Sequence, residues 1–170
     1  MKRLLFLGVF LVFFSFALTA CNSQDIESNT TGSGVFVGDN LLDFTLNDLN
    51  GESVSISTYS KGKPLLLTFT TTWCSHCITI IPALKEIYSK NKDKGLELLA
   101  VYVNEKPENV ESFSKKHNIP YKILIDANGK IATSYKIRGV PTLMIIDDSG
   151  TIKYRGHGLP EDIIELVINE

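Results

Sequence analysis

The chain has 170 residues, 44% of them hydrophobic and 21% charged, which suits one globular domain and excludes a disordered or low-complexity polymer. Its formal net charge is −2, and with no long basic run it carries no signature of a nucleic-acid partner.

Residues 1–20 read as a signal rather than as part of the fold. Lys2-Arg3 precede LLFLGVFLVFFSFALTA, 17 residues without a charge: a basic head, an apolar core and small residues at the end. A membrane span needs about 20 apolar residues, so cleavage is the expectation and an uncleaved anchor helix the alternative. The segment closes on LTAC, Leu18 to Cys21, which resembles a bacterial lipobox. That resemblance implies lipidation of Cys21 and a domain held outside the cytoplasm on a bacterial membrane, since several acyl chains anchor far more firmly than one. Residues 21–35 contain NSQDIESNTTGSG, polar and Ser/Thr/Asn/Gly-rich, which reads as a flexible tether. The folded domain is expected over 36–170.

Within it, DFTLNDL and SVSI alternate apolar and polar residues around Asn50-Gly51, a hairpin signal. PLLLTFTT (64–71) is an almost continuous apolar and β-branched run, suited to a central strand buried on both faces. A helix should open at the two cysteines of WCSHC, because Cys77, Ile80, Ile81, Leu84, Ile87 and Tyr88 share one helical face. Pro82 falls inside it and shapes its packing. LELLAVYVN (96–104) reads as a second buried strand and Pro107–His117 as a helix with proline in its first turn. YKILID is a short strand, GKIATSYKI a short helix, and PTLMIID (141–147) a strand that turns at Asp148-Ser149-Gly150 into TIKYRG. Leu159–Ile168 closes the chain as an amphipathic helix with Ile163, Ile164 and Val167 inward. Strands alternating with helices, then a hairpin and a last helix, imply an α/β architecture around a mixed sheet.

Three cysteines would leave an odd thiol in an exported chain; if Cys21 carries lipid, Cys74 and Cys77 remain as a pair. Their loop encloses only two residues, which removes little unfolded-state entropy and makes a poor staple. A closed zinc site needs four ligands, and the other histidines, His117 and His157, read as surface or loop residues. Copper transfer by Cys74, His76 and Cys77 stays open as an alternative. Redox chemistry fits best. One helical turn brings the two Cβ atoms within disulfide reach. A thiolate at the first turn meets unpaired N–H groups and the positive end of the helix dipole, so its pKa falls from about 8.5 towards 7 or below. His76 would add a donor or a positive charge, with Ser75 beside it. Cys77, a turn deeper, is suited to resolve a mixed disulfide formed at Cys74.

FTTTWCSHC with Pro82 behind it, and GVPT at Gly139–Thr142, resemble the thioredoxin fold, and more closely its extracytoplasmic, membrane-tethered branch of the TlpA/ResA type, from about Val37 to the chain end. The resemblance implies a thioredoxin-like fold, a central mixed sheet flanked by helices with an N-terminal β-hairpin extension, and thiol–disulfide exchange with protein substrates. It implies no cofactor beyond the redox-active Cys74–Cys77 disulfide, and a membrane partner that passes electrons. By position Cys74 would be the nucleophile, Cys77 the resolving thiol, Trp73 the aromatic at the rim, and Pro141 a cis proline. Val140 would offer backbone hydrogen bonds to an extended substrate segment. Two positions depart from relatives: Thr68 stands where thioredoxins bury an aspartate, and Ile80 where haem-maturation reductases often carry glutamate. Neither can take a proton from Cys77. Branch membership leans towards a reductase, whereas the Ser75-His76 dipeptide resembles oxidants and isomerases. Thr71 and Cys74 also form the TxxC of peroxiredoxins, but Leu67 stands where those enzymes place proline.

Overall fold

The computed structural model describes residues 33–169; the expected signal, Cys21 and most of the tether lie outside the described residues. β1 (Ser33–Gly34) and β2 (Asn40–Leu41) pair in parallel as a small separate sheet. Val35 behind β1 is only 4% exposed and joins the core, so the folded body takes in Ser33–Val35, which composition alone assigns to the tether. β3 (Thr45–Asp48) turns through Asn50-Gly51 into β4 (Ser53–Ser55) as an antiparallel hairpin. The turn needs a left-handed residue, supplied by Gly51 at φ 81°. The Asp48 carboxylate accepts from the Asn50 and Glu52 amides at 2.8 and 3.0 Å.

A short helix α1 (Ile56–Tyr59) leads to β5 (Leu65–Thr70), buried at every position as its apolar run requires. Then follow α2 (Ser75–Asn91), β6 (Glu97–Val103), α3 (Pro107–His117), β7 (Lys122–Asp126), α4 (Lys130–Ser134), β8 (Thr142–Ile146), β9 (Ile152–Gly156) and α5 (Glu161–Ile168). α4 is shorter than the expected helix over 129–137. The Asp126 carboxylate caps its first turn by accepting from the Ile131 and Ala132 amides. It then ends where Tyr135 turns inward, fully buried, and Lys136 adopts φ 52°.

The main sheet has seven strands in the order β4-β3-β7-β6-β5-β8-β9. β5, β6 and β7 run parallel, joined by α2 and α3 crossing on one face, while the remaining pairings are antiparallel. Alternation along the strands divides the core. Leu66, Leu98, Ala100, Leu143 and Ile145 pack with Leu84 and Ile87 of α2, Val110 of α3 and Ile164 and Val167 of α5. Leu65, Leu67, Phe69, Val101 and Met144 face the other way, towards Phe44, Ile56, Ala132 and Tyr135. This is a thioredoxin-like α/β layering with the expected hairpin at one sheet edge. No helix among the described residues is long and apolar enough to cross a membrane.

Candidate active site

At the carboxyl end of β5 the chain passes through Thr71, Thr72 and Trp73 into Cys74, the N-cap of α2. Cys74 keeps extended backbone angles (φ −80°, ψ 113°), and its Sγ accepts the Cys77 amide N–H at 3.1 Å. First-turn amides have no carbonyl partner within a helix, so the sulfur takes the place that a serine or aspartate oxygen fills elsewhere. Cys77 lies one turn on with its Cα 5.2 Å away, and the two sulfurs form a disulfide. Cys74 is half-buried whereas Cys77 is 3% exposed. Of the two, Cys74 is the sulfur open to approach from outside.

Antiparallel pairing of β8 against β5 sets Thr142 opposite Phe69, which carries the loop before β8 to the same sheet end as the cysteines. The Val140–Pro141 peptide in that loop is cis, and the Val140 carbonyl oxygen lies 3.6 Å from Cys74 Sγ. The Thr142 hydroxyl donates to the Gly139 carbonyl at 2.7 Å and closes the loop on itself. His157 from the end of β9 brings Nδ1 within 2.6 Å of the Pro141 carbonyl oxygen. A carbonyl only accepts, so Nδ1 carries the proton.

Trp73 is 74% exposed, on the rim rather than in the core. With Thr71, Val103, Ala132, Ile137 and Val140 it borders a cleft of about 250 Å3 beside Cys74. Ser75 and His76 are exposed on the first turn of α2. Ile80 is half-buried among the apolar residues of the α2 face. Thr68 is 1% exposed, and its hydroxyl, like that of Thr71, has no hydrogen-bond partner among the described residues. The sequence reading missed Glu105. It lies just beyond β6, is 7% exposed, and its carboxylate accepts from both the amide and the hydroxyl of Thr72. Nothing local marks it; only the parallel pairing of β5 and β6 brings it to the cysteine loop. His117 instead stacks on Phe113 with ring centroids 4.2 Å apart. No group of three or more His, Cys, Asp or Glu that could hold a metal gathers among the described residues.

A helix capped by one half of its own disulfide, with a cis-proline loop against that sulfur at the end of a mixed sheet, defines a thioredoxin-like redox protein. Comparison with known proteins narrows the class. The AhpC/TSA family matches residues 37–155. Thiol-disulfide oxidoreductase ResA from Geobacillus kaustophilus is 36% identical over 124 residues, 73% of this chain and 71% of that one. ResA from Geobacillus thermodenitrificans is 35% identical over the same shares. Among solved structures, the thioredoxin domain of a thiol-disulfide oxidoreductase from Bacteroides vulgatus superimposes with a TM-score of 0.71 at 26% identity, covering 79% of this chain and 99% of that one. The chain belongs to the AhpC/TSA family and, within it, to the ResA thiol–disulfide oxidoreductases. Its enzymatic activity is thiol–disulfide exchange, and protein thiols and disulfides are its substrates.

Proposed function

We propose that the protein works outside the cytoplasm, held to a bacterial membrane through lipidated Cys21, and that Cys74 makes the first attack. One observation supports the role of Cys74 most: this half-buried residue caps a helix N-terminus against the Val140 carbonyl, with Cys77 covered one turn behind. In the reducing direction, the Cys74 thiolate attacks one sulfur of a substrate disulfide. A Cys74–substrate bond forms, the substrate S–S bond breaks, and the leaving thiolate takes a proton. Cys77, deprotonated, then attacks Cys74 Sγ, which closes the Cys74–Cys77 disulfide and releases the second substrate thiol. Two electrons have passed to the substrate, and a membrane dithiol partner must return them. Val140, Pro141 and Trp73 would hold the extended substrate segment, the first through its backbone. Ser75 and His76 would tune the thiolate from the exposed first turn, in addition to the helix dipole. With Thr68 and Ile80 in the two acid positions, neither can take the Cys77 proton, which would pass to water, to His76 or to another acid.

The full chain in detergent should reduce insulin when supplied with a dithiol, and Cys77→Ala should accumulate mixed disulfides in cells. Mass spectrometry of the trapped proteins names the substrates. Inactivity of the wild-type chain, together with an absence of adducts, would refute the reading. Equilibration with glutathione sets the direction. A stabilised thiolate stabilises the reduced protein, so the potential should lie above the roughly −270 mV of thioredoxin.

The AhpC/TSA match and the Thr71–Cys74 spacing support thiol peroxidase activity as a second reading. Rapid peroxide consumption by Cys77→Ser would favour it, because a peroxidatic cysteine reacts without its resolving partner.

A further inference from the structure

The cis-proline loop also borders a second cleft, unused by the chemistry above. It holds about 480 Å3 and is lined by Phe36, Lys136, Arg138, Thr142, Arg155 and His157. Three permanent cations and an imidazole meet there, and no carboxylate lines it, although the chain as a whole is net negative. None of the four takes part in an ion pair among the described residues.

The positive charge is built in rather than left to wander. Arg155 donates through Nη1 to the Val35 carbonyl at 2.7 Å, and through Nη2 to the carbonyls of Tyr135 and Lys136 at 2.7 and 3.2 Å. Those bonds hold the guanidinium in place but supply no counter-charge. Lys136, on a left-handed backbone, sets its Nζ 4.9 Å from the centre of the Phe36 ring, which is itself 54% exposed. Like charges gathered in one cleft repel, and their field is focused outwards, so the arrangement favours an anion.

Its place says which anion. Thr142 follows Pro141 directly, and His157 both lines the cleft and holds the Pro141 carbonyl. A segment paired in extended form along Val140 advances about 3.3 Å per residue. Arg138 and Lys136 stand two and four residues before Val140, so side chains a few residues from its cysteine are the ones the cleft is placed to meet. The exposed Phe36 ring offers an apolar wall to the methylenes of a glutamate. We infer that this cleft is a specificity subsite that takes an acidic side chain of the protein segment whose cysteine exchanges with Cys74. This inference rests on the exchange at Cys74 proposed above.

Two extended peptides test it. Each carries serine in place of cysteine, so that no covalent bond forms, and they differ only in having Glu or Gln at the flanking positions. Titrated calorimetrically into the full chain in uncharged detergent, the Glu peptide should bind about 5–10-fold more tightly at low salt. The ratio should shrink towards one near 0.5 M salt, where the screening length falls below about 5 Å. It should shrink likewise in the double variant Lys136→Gln, Arg138→Gln, whose two side chains are exposed and leave the core intact. Equal affinities in the wild type, or an acidic preference that survives the double variant, would overturn the inference. Exchange with bis(2-hydroxyethyl) disulfide, uncharged and too small to span the two clefts, reports on Cys74 separately. Failure there refutes the exchange reaction, while the peptide titration still decides whether the cleft selects carboxylates.

Discussion

Glu105 grips Thr72 twice, accepting the backbone N–H on one carboxylate oxygen and the hydroxyl on the other at 2.7 Å. Thirty-three residues of chain separate the partners, and the contact fixes the loop two residues before Cys74 to the end of the neighbouring strand. Hydrogen bonds to a charged group each contribute about 1.5–3 kcal/mol, and Glu105 is buried. Glu105→Ala should therefore lower the unfolding free energy in urea by about 2–3 kcal/mol, and Glu105→Gln by roughly half as much, because one acceptor oxygen remains. A midpoint unmoved by the alanine variant would show that the loop is held by other contacts.

Thr68 presents the opposite case, a hydroxyl buried in mid-sheet between Ala100 and Leu143 without a partner. An unpaired buried polar group is unfavourable by about 1–3 kcal/mol, whereas an apolar group of the same shape avoids that penalty. Thr68→Val should hold or raise the melting temperature and leave the rate of Cys74–Cys77 closure unchanged. A clear loss of stability, or a slower closure, would mean that the hydroxyl holds a water in the native protein.

The physics of legibility separates these residues from the cysteine pair. β5 could be read because Leu65–Thr70 is buried on both faces and local sequence reports burial directly. The hairpin was legible from Asn50-Gly51, and α2 from the apolar spacing behind Cys77. The two-residue strands β1 and β2 are too short to show any period. Glu105, Arg155 and His157 acquire their contacts only when distant strand ends meet; Arg155 and Val35 are 120 residues apart. Their surroundings in sequence are those of ordinary surface residues. Cys74, Cys77 and the GVPT loop stood out because motif resemblance already encodes such a meeting.

Arg155 ties the N-terminal segment to the turn after α4 through three carbonyls at once. A lysine keeps the charge but offers a single ammonium in place of a planar fork, so it cannot reach all three. Arg155→Lys should lower stability by about 1–3 kcal/mol, leaving one or two carbonyls without a donor. It should also speed amide exchange at Val35 and Lys136 relative to the β5 core. Wild-type exchange at both positions would show that the charge, rather than the fork, is what the site requires.

Acid should weaken the fold through Asp48 and Asp147. Burial alone would raise the pKa of Asp48, but the hydrogen bond from Lys122 and the amides of Glu52 and Asn50 outweigh it and hold the carboxyl below its usual range. At Asp147, burial is likewise outweighed by the Ser149 hydroxyl, the Thr151 amide and Lys153, 3.1 Å away. A carboxyl whose folded pKa lies below its unfolded value of about 3.9 favours the native state when ionised. That contribution is complete above the unfolded pKa and disappears as pH falls through the folded one. Melting temperature should therefore respond little to these two groups from neutral pH down to about pH 5, then drop below about pH 4. Asp48→Asn and Asp147→Asn should each melt lower than wild type at pH 7, and the gap should close towards about pH 2, where the wild-type carboxyls are protonated. Curves that stay parallel down to that pH would mean that the carboxylate charge contributes nothing and that the turns depend on shape and neutral hydrogen bonds alone.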